Sequence, residues 1–295
     1  MNKKTIKAAC IQMCSSTDVE INIKSAVSLI TEAAKQGAEL IITPEMTTLL
    51  ERNSERLFEK VKTEDEDISL AIFSKLAAEL HVDLVIGSIP IKISAQKCAN
   101  RSYFITHNGK IAAHYDKIHM FDVQLSAGEV YKESKNFQTG DKAVIIETEA
   151  YNLGLSICYD LRFPELFRDL ALNGAEIISV PAAFTVPTGK AHWHTLLRAR
   201  AIETGCFILA AAQSGNHEDG RETYGHSLIV NPWGEIIAEK ESGTGFIMAE
   251  LNLALVEDAR NKIPSLKHRK DYFISNTHIK YFSKKESSYT EKPNV

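Results

Sequence analysis

The chain has 295 residues, 44% apolar and 24% charged, with a net charge of −4. That length holds one large domain or two small ones. The balanced charge, without a basic stripe, speaks against nucleic acid, and no apolar run reaches the ~20 residues that span a bilayer.

Strand-like and helix-like segments alternate from the start. Residues 7–13 read as a strand. Residues 22–36 read as a helix, with Ile23, Val27, Ile30 and Ala34 at helical spacing and Gly37 as its stop. Residues 39–43 form a short apolar strand. Residues 67–81 carry Ile68, Ile72, Leu76 and Leu80 on one helical face, and 82–89 are rich in β-formers. Residues 103–106 and 110–115 flank His107-Asn108-Gly109, a hairpin signal.

The second half repeats the order. Strand 153–158 leads to helix 164–173, with Pro164 at its first position and Gly174 after its end. Strand 176–180, helix 191–204 and strand 207–212 come next. Segments 227–230 and 235–238 flank Asn231-Pro-Trp-Gly234. Gly37-Ala-Glu-Leu-Ile-Ile-Thr-Pro44 resembles Gly174-Ala-Glu-Ile-Ile-Ser-Val-Pro181, which suggests a duplicated α/β half. Residues 132–141 lack the composition of a flexible tether. One domain over 1–275 and a polar tail over 276–295 are therefore expected. Alternation alone allows a doubly wound sheet as well as a sandwich.

The richest stretch is Ile157-Cys158-Tyr-Asp-Leu-Arg162-Phe-Pro164-Glu165, which puts a thiol after an apolar strand, where open α/β sheets keep their ligands. Glu45 follows Ile41-Ile-Thr-Pro44, and Lys117 follows His114-Tyr-Asp116. A thiol with an ordinary pKa of ~8.5 needs a base or a positive field to attack a carbonyl. A carboxylate can take its proton, pass it to a leaving amine and then activate water. A lysine can neutralise the developing oxyanion, an effect of roughly 3–4 kcal/mol for donors of that kind. The N–H of Tyr159 is a second oxyanion donor. Singly, each residue has a plain structural role: buried filler for the cysteine, a solvated loop for Glu45, a surface pair with Asp116 for Lys117.

The five cysteines form no CxxC pair, which suggests free thiols in a reducing compartment. The apolar stretch at the N-terminus is too short and interrupted for a secretory signal, so the cytoplasm is the expected location. Cys10 and Cys206 read as small buried hydrophobes. Near the thiol the close histidine pair is His192-x-His194, with no carboxylate or thiolate at ligand spacing, so no metal is expected. Thr188-Gly-Lys190 lacks the upstream glycine of a phosphate loop.

Thr43-Pro-Glu45-Met, Tyr115-Asp-Lys117-Ile-His and Ile157-Cys158-Tyr-Asp-Leu-Arg-Phe-Pro-Glu-Leu together resemble the nitrilase superfamily of carbon–nitrogen hydrolases. The resemblance runs to about Tyr272. It implies a four-layer αββα sandwich of two pseudo-equivalent halves, with Glu45, Lys117 and Cys158 as catalytic residues and no cofactor. It also implies a second glutamate between the lysine and the cysteine, for which Glu133 is the candidate and Glu129 the fallback. Pro187-Thr-Gly-Lys-Ala-His-Trp-His-Thr-Leu-Leu-Arg-Ala-Arg-Ala-Ile-Glu-Thr204, Ala210-Ala-Ala-Gln213 and Tyr224-Gly-His-Ser227 are similar to the Nit branch, and to its deaminated-glutathione-hydrolysing members more than to the ω-amidases. The reaction implied by this resemblance is hydrolysis of a linear amide through a thioester, with deaminated glutathione cleaved to α-ketoglutarate and Cys-Gly as metabolite repair. α-Ketoglutaramate is the alternative substrate, and a silent interaction scaffold the alternative of another class. Gly189-Lys190 stands where Gly-Pro is frequent in the branch, near the expected pocket rim.

An anionic substrate of this kind needs a fixed cation away from the sulfur. Arg162 is the candidate carboxylate fork, with a helix cap or an ion pair between the halves as its other reading. Phe184 and Thr188 are expected to line the pocket. The family associates through outer helices, so a homodimer or larger homo-oligomer is expected, with 191–204 as an interface helix.

Overall fold

The computed structural model describes residues 5–126 and 129–277. The expected tail, 276–295, lies outside them from residue 278 on.

Two sheets share one strand plan. In the first, Thr5–Gln12, Leu40–Ile42 and Asp83–Lys92 run parallel, and Cys98–Ile105 and Ile111–Asp116 continue antiparallel. In the second, Asn152–Leu155, Ile177–Ser179 and Phe207–Ala210 run parallel, and Ser227–Val230 and Ile236–Lys240 continue antiparallel. Each sheet ends in an antiparallel strand beside its first one. That strand is Ile145–Glu147 in the second sheet. In the first it is Gly245–Asn252, which the second half sends back to pair with Thr5–Gln12. The duplication suggested by the match of 37–44 with 174–181 thus extends to the whole strand order.

The apolar runs explain the layering. Along Thr5–Gln12, Ile6, Ala8 and Cys10 pack with Leu153, Leu155 and Leu228 of the other sheet. Ala9 and Ile11 pack with Ala26 and Ile30 of helix Val19–Lys35 and with Phe73 of helix Ile68–Leu80. Alternate side chains of one strand therefore serve two apolar interfaces, which is why these strands read as continuous hydrophobic runs. Helices Pro164–Leu172 and His194–Thr204 cover the second sheet through Phe167, Leu170, Leu197 and Ala201. The result is helix, sheet, sheet, helix, the sandwich that the resemblance implied. Cys10 and Cys206 are fully buried among these layers.

Local departures from the sequence reading gather around the sulfur. The strand expected over 153–158 stops at Leu155, and Cys158 opens a 3-10 turn, Cys158–Arg162. The helix expected over 191–204 is preceded by Val186–Thr188 and a π-turn, Gly189–Trp193. Gly189 is required there, because a Cβ would lie 2.3 Å from the Tyr224 ring. The segment 132–141, which lacked a tether's composition, starts at the end of a hairpin, Asp122–Ser126 with Glu129–Lys132, and continues in a 3-10 turn, Glu133–Lys135.

Candidate active site

Glu45 stands three residues beyond strand Leu40–Ile42, in a loop held from several sides. Thr43 N donates to Val85 O at 3.0 Å, and Gly87 N donates to Thr43 Oγ1 at 2.9 Å. Gly87 cannot be larger, since a Cβ there would lie 2.0 Å from Thr43 O. Met46, at φ 56°, donates its N–H to Ser88 Oγ. The fully buried Gln213 donates Nε2 to Glu45 O at 3.0 Å and to Ser15 Oγ at 2.8 Å, tying the loop to the second half. The Glu45 side chain is thereby fixed before any substrate arrives.

Lys117 follows strand Ile111–Asp116 directly and is 2% exposed. Its Nζ donates to Glu45 Oε1 at 2.9 Å and to Glu133 Oε1 and Oε2 at 3.0 and 2.9 Å. Glu133 also accepts from Phe121 N at 2.7 Å. The predicted second glutamate thus reaches the lysine, while the side chain of the fallback, Glu129, lies outside the described residues. Asn100 Nδ2 donates to Glu45 Oε1 at 2.9 Å and to Glu133 Oε1 at 3.1 Å.

Cys158 carries φ 49°, a left-handed backbone uncommon for a side-chain-bearing residue. Its N–H donates to Pro181 O. Its side chain shares a cavity wall with Glu45 and Ala183, and Ala183 N donates to Glu45 Oε2 at 2.9 Å. The kinked backbone turns the thiol out of the sheet toward the glutamate. Tyr159 is the second residue of the turn, where a helix start leaves an N–H without a partner in its own turn.

Asp160 holds the cysteine and lysine segments together. Fully buried, it accepts from Ile157 N at 2.8 Å, Tyr115 OH at 2.7 Å and His119 N at 3.1 Å, and its Oδ1 lies 2.7 Å from His119 Nδ1. The sequence offered Asp160 only as a letter of the cysteine motif. Asn100, Gln213 and the Ala183 N–H went unnoticed as site groups, because contacts between distant segments leave no periodic trace.

The electrostatics assign protonation. Burial pushes the Glu45 carboxyl up, but the Lys117 charge and hydrogen bonds from Lys117, Cys158 and Asn100 outweigh it and hold the pKa below the ordinary value. Burial acts downward on Lys117, and the charges of Glu133 and Glu45 carry its pKa well above the lysine range. The Cys158 thiol is pushed far up by burial and by the Glu45 charge, with Lys117 opposing. Two carboxylates, one ammonium and a neutral thiol sum to −1, so a resting thiolate would add a second uncompensated charge. Such an arrangement suits activation of a sulfur by a base rather than by a standing positive field.

The quartet opens on a cavity of about 290 Å³, lined also by Phe121, Tyr159, Phe184, Thr188 and Arg221. Phe184 and Thr188 sit where the sequence placed them. Arg162 lies elsewhere: its guanidinium stacks behind Tyr159 and Phe184, 3.3 Å from His192 Nδ1, and is not on the cavity wall. Arg52, Lys132, Lys135 and Arg221 are the peripheral cations that do line it.

Residues 7–261 match the carbon-nitrogen hydrolase family. The chain belongs to that family. As a carbon–nitrogen hydrolase it is 39% identical over 270 residues to a deaminated glutathione amidase of a Synechocystis species, covering 90% of this chain and 98% of that one. It is 36% identical over 280 residues to the Homo sapiens deaminated glutathione amidase, covering 91% and 83%. Its fold superposes on Saccharomyces cerevisiae Nit3, described as a member of branch 10 of the nitrilase superfamily, with a TM-score of 0.81 and 30% identity over 91% of this hydrolase and 97% of that chain.

Proposed function

We propose that this hydrolase cleaves deaminated glutathione to α-ketoglutarate and Cys-Gly, with Cys158 as nucleophile. The observation that carries the chemistry is the hydrogen-bonded trio Glu45, Lys117 and Glu133 lining the same cavity as the Cys158 thiol. Glu45 takes the thiol proton as sulfur attacks the amide carbonyl. Lys117 and Tyr159 N–H receive the negative oxygen of the tetrahedral intermediate. Glu45 then protonates the amine, the C–N bond breaks, and Cys-Gly leaves a thioester. Water, giving its proton to Glu45, releases α-ketoglutarate and restores the thiol. Glu133 keeps Lys117 charged and aimed.

The names of the relatives support this substrate, and so does the cavity. Its volume is at the low end of small-molecule sites, ~300–1,000 Å³, and its peripheral cations suit a substrate with carboxylates at both ends. The Arg52 side chain makes no hydrogen bond or ion pair among the described residues. Incubating the enzyme with deaminated glutathione and, separately, α-ketoglutaramate while following α-ketoglutarate decides the matter. Faster turnover of the first supports the proposal, and faster turnover of the second makes the enzyme an ω-amidase.

The domain we assign spans 1–275. Self-association through the outer helices is supported by exposed Leu172, Ile202, Trp233 and Ile263 beside Pro164–Leu172 and His194–Thr204. Light scattering on the eluted protein tests it. No helix among the described residues is long and apolar enough to cross a membrane. Five free cysteines suit a cytoplasmic setting.

A further inference from the structure

On the outer end of the second sheet, three metal-binding side chains meet. His194 opens helix His194–Thr204, His226 precedes strand Ser227–Val230, and Glu239 lies on strand Ile236–Lys240. His194 Nε2 is 2.9 Å and His226 Nδ1 2.7 Å from the same oxygen, Glu239 Oε1, and the three donor atoms lie within 4.8 Å of one another. The catalytic cluster uses none of them. Read along the chain, His194 paired with His192 and lacked a third donor. The fold supplies that donor from a neighbouring strand.

We propose that His194, His226 and Glu239 bind one divalent transition-metal ion of the zinc class. Two imidazoles and a carboxylate match a three-ligand site with one position open to water. Tetrahedral bonds of ~2.0–2.1 Å put ligand atoms about 3.3 Å apart. The present nitrogen-to-oxygen distances need to open by only about half an ångström, which the exposed Glu239 side chain allows. The imidazoles are placed rather than loose. The Tyr224 ring stacks on His226 with centroids 4.1 Å apart, and His194 meets His226 edge-on at 5.1 Å. Trp193 Nε1 donates to His226 O at 2.8 Å, and His226 N donates to Glu241 O. His226 holds φ 56°, so the chain maintains an uncommon backbone at the residue that must aim Nδ1.

The test is calorimetric titration of untagged, metal-stripped protein with zinc, in a Cys158→Ser background that removes the catalytic thiol as a ligand. The expected result is one ion per chain and a raised melting temperature. His194→Gln and Glu239→Gln, both at the surface, should each weaken binding by more than about tenfold, while Cys14→Ser should leave it unchanged. Cys14 is the relevant control, because its sulfur lies 3.8 Å from His217 Nδ1. Cobalt in place of zinc should give a visible d–d spectrum that His194→Gln loses. Absence of binding, binding indifferent to His194→Gln, or binding removed by Cys14→Ser overturns the proposal.

Discussion

Lys117 Nζ lies 2.9 Å from Glu45 Oε1 and equally close to Glu133 Oε2. One buried ammonium thus separates two carboxylates that would otherwise repel, and its position fixes both. Removing it should cost stability as well as rate. Lys117→Met is expected to destabilise the fold by ~3–5 kcal/mol, because it leaves uncompensated buried charge. Lys117→Met with Glu133→Gln should recover part of that loss. Urea unfolding of the two variants and the parent measures it.

Glu133→Gln keeps the shape but removes a charge from Lys117. We expect kcat to fall by ~10²-fold with KM changed far less, since the loss is felt at the oxyanion rather than in binding. Steady-state kinetics with deaminated glutathione checks the split. A change confined to KM would place Glu133 in substrate binding instead.

The sign of each shift sets the pH response. Glu45 has a depressed folded pKa, so the stability it adds is present above its unfolded value and disappears as pH falls through the folded one. Lys117 has a raised folded pKa, so its contribution is full below its unfolded value and is lost as pH rises through the folded one. Stability should therefore be steadiest between the carboxylate range and the ordinary thiol value of ~8.5, above which Cys158, whose folded pKa is also raised, adds a loss of its own before Lys117 does. Glu133→Gln, which removes one of the charges raising Lys117, should bring the alkaline loss to lower pH. Melting temperatures from pH 3 to 11 in parent and variant test this.

The raised Cys158 pKa makes base assistance necessary. Alkylation by iodoacetamide should show no step near the ordinary thiol value of ~8.5. Glu45→Gln should slow it at neutral pH. An unchanged rate would mean that a standing thiolate reacts.

Asp160 is a positioning residue, acting through the segments it joins. Asp160→Asn keeps the volume but loses the carboxylate that Ile157 N, Tyr115 OH and His119 N share. A loss of ~2–3 kcal/mol is expected for such charge-assisted bonds. The alkylation rate of Cys158 should fall too, which a purely stabilising role away from the site would not cause.

Legibility in the sequence tracked the range of the interactions. The parallel strands were legible because Ala8 and Cys10 face one apolar layer while Ala9 and Ile11 face another, so polarity never interrupts them. Glu45, Lys117 and Cys158 were findable as polar residues just past strands, but their meeting was implied only by the resemblance. Arg162 sits off the cavity wall for a geometric reason. Four residues on from Cys158 is nearly the same face of an α-helix, but at three residues per turn it points about 120° away, and Cys158–Arg162 is a 3-10 turn. Asp160, Asn100 and Gln213 act across 40 residues or more, a distance no local pattern records.

The central claim, that the substrate acyl group passes through the Cys158 sulfur, is tested most directly by an acid-quenched single-turnover time course read by peptide mass spectrometry. With deaminated glutathione, an α-ketoglutaryl group should appear on the Cys158 peptide and decay as free α-ketoglutarate accumulates. Substrate consumed while that peptide stays unmodified at every time point would contradict the account.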